Sequence, residues 1–382
     1  MFSIFCQLLQ VSVGARDCLS RSLDEDEWQV LFEMASKQAL AGILFEGLRK
    51  LPQEQWPKRS IVLRWTMAAE DIRRRNVQTT EVCIRLRESL IKDGFNVCIL
   101  KGQANHTYYD LLPSSDRLGM MRTCGDIDAW IWPKAKTRNP VKDTIKYCIN
   151  RMVLLSLCYL HAEVKPMHGV PIEIHFRPSF LNAPWRDYHL QRLFEHAQFT
   201  NSVIDGCCEL TKLRPDYDLI FQMNHIYRHL LDEGVGMRQV VDFYVLLLAY
   251  HQERKNNGDF MDISELMMIV KGCGMGKFAS ALMFVLISMF DIDKNLLLCT
   301  PSKKHGTFLL DEMMIAGNFG HHDARMESIV IEKGKLSFQL KKAKRRFKRN
   351  LRFLSSYPEE VICEPIARVY HTIWRKYKLY RF

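Results

Sequence analysis

The sequence predicts an α+β fold: a small mixed sheet with flanking helices, preceded by helices and followed by a helical domain. Apolar residues recur at helical spacing on both sides of the chain's middle. Short alternating or buried β-type runs are confined to roughly residues 95–180, punctuated by glycine and proline. At 382 residues the chain is long enough for more than one globular unit. The expected pieces are a helical N-terminal segment (1–94), an α/β core (95–182), a helical substrate-side domain (183–330) and a basic helical C-terminal segment (331–382).

Residues 24–51 read as a helical run opened by acidic residues and closed near Pro52. A longer helical pattern over 61–92 stops at Asp93-Gly94. Residues 96–101 read as a short buried strand, and Gly102 as a turn into a helix over 104–112 that Pro113 ends. Residues 126–132 alternate as a half-buried strand does, 142–161 return to helical spacing, and 164–168 and 170–176 flank Gly169 as two strands. Beyond Pro184 the pattern is almost wholly helical, at 225–231, 237–250, 263–271, 278–290, 336–354 and 360–377.

The formal charge of +11 favours polyanionic partners, namely nucleotides, nucleic acid or an acidic membrane surface. The longest nearly apolar runs, 152–160 and 279–290, fall short of the ~20 residues that cross a bilayer, so no transmembrane segment is expected. Twelve scattered cysteines, including Cys207-Cys208 but no C-x-x-C, suit reduced thiols and a cytoplasmic protein.

On a strand, side chains two apart share a face, so Asp126 and Asp128 project together. Two neighbouring carboxylates repel unless a cation neutralises them, and Mg²⁺ favours carboxylate and phosphate oxygens. Glu173 is the candidate third acid, sharing a face with His175 and Arg177 while Ile172 and Ile174 point the other way. Such a trio supports two-metal phosphoryl or nucleotidyl transfer. Upstream, Gly102 lets backbone N–H groups approach phosphate, Lys101 adds a compact charge, and Arg117 and Arg122 are candidate phosphate partners.

In order, the chain carries Leu100-Lys101-Gly102, then Tyr108-Tyr109, then Arg122-Thr123-Cys124-Gly125-Asp126-Ile127-Asp128, then Glu173-Ile174-His175. This order resembles the uncharacterised nucleotidyltransferase family of the DNA polymerase beta-like superfamily, strongly over residues 97–177 and less specifically to about 290. The resemblance implies a nucleotidyltransferase-type sheet with Asp126, Asp128 and Glu173 as catalytic metal ligands. Candidate nucleotide contacts are Lys101, Gly102, Arg122, Gly125 and His175, with His175 read equally as orienting Glu173 or as a structural histidine. The chain has Gly102-Gln103 where the wider superfamily usually has Gly-Gly or Gly-Ser, and a glutamate where the third acid is usually aspartate.

Other signals carry less. Residues 271–278 have the colour of a phosphate loop but place Phe278 where a Ser or Thr belongs, which favours a helix junction. His225 and His229 read as polar interface residues, and Arg238 with Asp242 as an i,i+4 pair or as cleft-lining groups. The basic residues of 333–352 read as a solvated face, an RNA contact or a contact with an anionic surface.

The function these features predict is transfer of NMP from an NTP to an acceptor hydroxyl, with Mg²⁺ or Mn²⁺ as cofactor and pyrophosphate released. The acceptor, whether sugar, small molecule, protein or RNA, is not encoded in any motif. The alternative is a non-catalytic nucleotide- or RNA-binding regulatory module of the same fold.

Overall fold

The structure is a computed structural model and describes residues 1–112, 118–204, 208–320, 323, 325 and 336–381. Pro113, Arg117, Cys207 and Lys333 lie outside these residues, as do the side chains of 336–342. Four helices open the chain: α1 (Phe2–Ser12), α2 (Glu25–Lys37), α3 (Ala41–Lys50) and α4 (Arg59–Lys92). A capping box between Asp24 and Glu27 starts α2. The run expected over 24–51 is therefore two helices, parted where Ala39 takes φ 56°. The apolar opening, which gave no element in the sequence, forms α1 and buries Phe5, Leu8 and Leu9.

The sheet follows: β1 (Phe95–Ile99), α5 (Gln103–Tyr109), β2 (Ile127–Pro133), α6 (Pro140–Arg151), β3 (Leu154–Leu157), β4 (His161–Met167) and β5 (Val170–His175). Its order is β1-β2-β5-β4-β3. Strands β2 and β5 are parallel and the other neighbours antiparallel, so the sheet is mixed. The helix expected over 142–161 ends at Arg151, because the apolar stretch after it forms β3 and His161 opens β4.

Strand alternation gives the sheet two different faces. Ile127, Ala129, Ile172 and Ile174 turn toward Val82, Leu86 and Leu90 of α4 and Ile145 of α6, forming a closed apolar core. The opposite face receives the polar residues of the same strands.

The remaining elements are α7 (Pro184–Glu195), the hairpin β6 (Phe199–Ile204) and β7 (Cys208–Leu213), α8 (Pro215–Asp232), α9 (Met237–Asn256), α10 (Ile263–Gly272), α11 (Gly276–Phe290), α12 (Lys303–Ala316), α13 (Leu336–Phe353) and α14 (Pro358–Arg381). The hairpin interrupts the region expected to be helical. Residues 271–278 form the α10–α11 junction, with Gly274 at φ +75°. A second core unites α1–α3 with α8–α12 and takes in Cys98 and Leu100 beside the polar face of the sheet. Among the described residues no helix is long and apolar enough to cross a membrane.

Candidate active site

The polar face is built by register. Asp128 on β2 lies beside Glu173 on the parallel β5, and residues in register project from the same face. Asp126 sits just before β2, and carboxylate oxygens of Asp126, Asp128 and Glu173 all lie within 4.8 Å of one another. Three acids expected to converge from two strands are thus together.

The turn after β1 brings the cation. Leu100 N–H donates to Asp128 O at 3.0 Å, and Gly102 then takes φ +67° and ψ −111°, a conformation that favours glycine. The chain bends back toward β2 at that point, with Lys101 Nζ 3.1 Å from Asp128 Oδ1. His175 Nε2 lies 3.0 Å from the same oxygen and 3.3 Å from Glu173 Oε2.

Asp128 is buried, and its two oxygens differ. Oδ1 meets Lys101 and His175, while Oδ2 is buried with no hydrogen-bond partner. A buried carboxylate oxygen without a donor is costly, and a divalent cation is one species that would satisfy it. The all-oxygen donor set of Asp126, Asp128 and Glu173 suits Mg²⁺ or Mn²⁺.

Burial opposes the charges here, and partners decide each outcome. Burial raises the Asp128 carboxyl, but Lys101 and His175 outweigh it and hold the group well below the usual carboxylate range. Burial lowers Lys101, yet Asp128, Asp126 and Glu173 push its pKa up to about 12. Glu173 is raised to about 7, by burial first and by the Asp128 charge second, against its hydrogen bond with His175. His175 rises to about 9 despite burial, because of its bonds to Asp128 and Glu173.

Facing this cluster across a pocket of about 450 Å³, open mouth included, are Gln222 and His225 of α8 and Arg238, Gln239 and Asp242 of α9. Gly102, Gly125 and Arg122 line the same pocket. Gly125 is exposed, and a Cβ there would meet no atom within 4 Å, so the backbone is open to a ligand. Arg122 is buried and committed: its Nε and Nη2 donate to the two oxygens of Asp242, each at 2.7 Å, and Tyr109 Oη donates to Asp242 Oδ1 at 2.8 Å. Arg238 lines the pocket together with Asp242. Its Nη1 donates to Thr123 O at 2.7 Å, and its pKa is lowered to about 10 by burial and by Arg122, so it stays cationic near neutrality.

Behind the loop, Asn76 Nδ2 of α4 donates to Met120 O and Arg122 O, both at 2.7 Å. The rings of His225 and His229 stand edge to face at 4.3 Å, and burial first, then Lys101, pushes the His225 pKa well down. His161 is the site residue the sequence reading left out. It stands opposite His175 in the sheet, and its Nδ1 lies 3.1 Å from Glu173 Oε2 without the alignment of a hydrogen bond. The alternation of His161 and Glu163 with buried Ala162 and Val164 was the signal for that strand.

A family of uncharacterised nucleotidyltransferases matches residues 24–290, about seven-tenths of the chain. The chain belongs to that family. Among solved structures, that of an antigenic nucleotidyltransferase-like protein from Paracoccidioides brasiliensis is similar at 14% identity and a TM-score of 0.29, covering 44% of this chain and 75% of the other. No curated protein matches. For this nucleotidyltransferase family member, the matched span includes the sheet, the acidic cluster and the α8–α9 wall of the pocket.

Proposed function

We propose that the chain transfers NMP from an NTP to an acceptor hydroxyl and releases pyrophosphate, with Asp126, Asp128 and Glu173 holding Mg²⁺ or Mn²⁺. The observation that carries this reading is the convergence of three carboxylates around a buried, unsatisfied Asp128 oxygen; family membership supports it. Bound divalent ions would lower the pKa of the attacking hydroxyl and neutralise charge on the phosphates.

The chain's own residues supply the rest. Lys101 and His175 keep Asp128 ionised and orient its Oδ1, which leaves Oδ2 for the cation. Gly102 and Gly125 give the backbone room beside the triphosphate, while Arg238 adds positive charge to the pocket wall. Proton removal from the acceptor falls to Glu173, the third acid of the cluster. The acceptor enters from the side of α8 and α9. The free buried thiols Cys83, Cys98 and Cys148 suit a reducing, cytoplasmic setting.

One observation favours a second reading, that of a nucleotide- or RNA-binding module without chemistry. Lys101 and His175 already give the acids two positive partners. Purified protein with α-phosphate-labelled NTPs and Mg²⁺ or Mn²⁺ separates the two. Transfer that Asp126→Ala abolishes supports the enzyme; NTP binding without transfer in the wild type selects the module.

A further inference from the structure

The face that holds the acids also carries a nitrogen-bearing cluster. Strands β4 and β5 pair His161 with His175 and Glu163 with Glu173, so these four side chains share one side of the sheet. Both imidazoles turn one nitrogen toward the same oxygen: His161 Nδ1 lies 3.1 Å and His175 Nε2 3.3 Å from Glu173 Oε2. Their outer nitrogens face other oxygens, His175 Nδ1 at 3.2 Å from Arg177 O and His161 Nε2 at 4.0 Å from Glu163 Oε1.

Ligand atoms of His161, Glu173 and His175 lie within 4.8 Å of one another, and His161 Nδ1 is buried without a hydrogen bond. The Arg177 carbonyl holds His175 Nδ1, so Nε2 would release its proton and exchange its bond to Asp128 Oδ1 for a cation. Bonds of ~2.1 Å at right angles put neighbouring ligand atoms ~3 Å apart, which matches the spacing of the inner nitrogens from Glu173.

We propose that His161, Glu173 and His175 form a second cation site, joined to the Asp126–Asp128 site through Glu173, which takes Mn²⁺ or another first-row transition cation in preference to Mg²⁺. Imidazole nitrogen is a poor ligand for Mg²⁺ and a good one for transition ions, so the two histidines set the selectivity. The inference deepens the nucleotidyltransferase reading, since it rests on Glu173 serving both sites.

The test is Mn²⁺ binding followed by electron paramagnetic resonance on the full chain without nucleotide, with Mg²⁺ as competitor. The wild type should bind two Mn²⁺, one of which excess Mg²⁺ fails to displace. His161→Ala should weaken that site by roughly 10–100-fold and leave the Mg²⁺-exchangeable one. His161→Asp, which restores an oxygen ligand, should bind a second ion with less discrimination and guards against a folding artefact. Equal competition by Mg²⁺ at all sites, or unchanged binding in His161→Ala, would overturn the proposal. Absence of nucleotide transfer alongside intact, selective Mn²⁺ binding would defeat the enzyme reading alone.

An independent feature lies on α14. Ile362, Ile366, Val369 and Ile373 recur at spacings of four, three and four, so they line one face, and each is between 60% and 71% exposed. The opposite face is anchored, with Val361 and Ala367 buried and Trp374 against Phe176. The acids of this helix are engaged: Glu359 with Arg186, Glu360 with the backbone of Asn182 and Ala183, and Glu364 with Arg368. Helices α13 and α14 also expose Lys344, Arg345, Lys348, Arg375 and Lys376.

We infer that this face docks on an anionic lipid surface. Aliphatic side chains suit acyl chains and the cations suit headgroups, whereas a second copy would set cation against cation, and RNA would leave the isoleucines uncovered. Cosedimentation with phosphatidylcholine vesicles, with and without phosphatidylglycerol, tests it. Binding should need the anionic lipid, weaken with salt, and fail in Ile366→Glu/Ile373→Glu. No binding to anionic vesicles, or dimerisation or RNA binding lost in that variant instead, would overturn it.

Discussion

Arg122 and Asp242 form a buried bidentate pair that ties the loop before β2 to α9. Removing one partner from a buried pair leaves an uncompensated charge, so Arg122→Ala should cost ~3–5 kcal/mol. Urea unfolding should show Arg122→Met/Asp242→Leu less destabilised than that single variant; a larger loss in the double variant contradicts the pairing argument. His106 titrates in the other direction. Burial first, then the Arg122 charge, lowers its pKa to about 3, so the folded state holds it neutral. Below about 6.5 the unfolded chain binds the proton more readily, so stability is present above that pH and is lost as pH falls toward 3. Between pH 6.5 and 4 the urea midpoint of the wild type should fall more steeply than that of His106→Gln; parallel curves would contradict this. The three acids were legible in the sequence because a period of two is read without knowing the fold. The partner of Arg122 was not, since Asp242 lies 120 residues away and the i,i+4 spacing pointed to Arg238 instead.

Elements of the N-terminal helical segment hold the loop before β2 from behind. A Cβ on Gly42 of α3 would lie 2.3 Å from Met121 O, backbone that has little room to retreat, and Asn76 of α4 fixes the carbonyls on either side of Met121. Gly42→Ala should therefore cost ~1–3 kcal/mol in thermal unfolding; an unchanged melting temperature would show that α3 does not bear on the loop. Elements with a clear period or a glycine stop, such as α4, β2 and β5, were legible. β3 was not, because the unbroken apolar run from Met152 has no period to separate strand from helix. The break between α2 and α3 was hidden too, since an alanine rather than a glycine takes the positive φ there. The β6–β7 hairpin is two short strands whose mixed polar and apolar residues resemble the helical surroundings.

At the scale of the whole molecule, the segment over 1–94 and the helices over 183–330 contribute to one apolar core. Phe5, Leu8, Trp28 and Leu44 belong to the same cluster as Met223, Phe243 and Leu286. Such sharing requires the fold and is invisible to a reading that treats each stretch in turn. A chain starting at Arg59 would expose the core surface that α1–α3 cover and should lose its cooperative thermal transition, read by circular dichroism; a wild-type melt would contradict the shared core. The pocket itself lies where this core and the sheet meet, so its two walls come from different parts of the sequence.

The central claim is that Asp126, Asp128 and Glu173 act together on an NTP, and the most direct measurement is release of pyrophosphate with transfer of an α-phosphate label. Wild-type protein, Mn²⁺ or Mg²⁺, labelled NTP and cell extract as a source of acceptors should give transfer. In folded Asp128→Asn and Glu173→Gln the rate should fall by roughly 10²-fold or more. Undiminished transfer in both variants, or none in the wild type, would contradict the account.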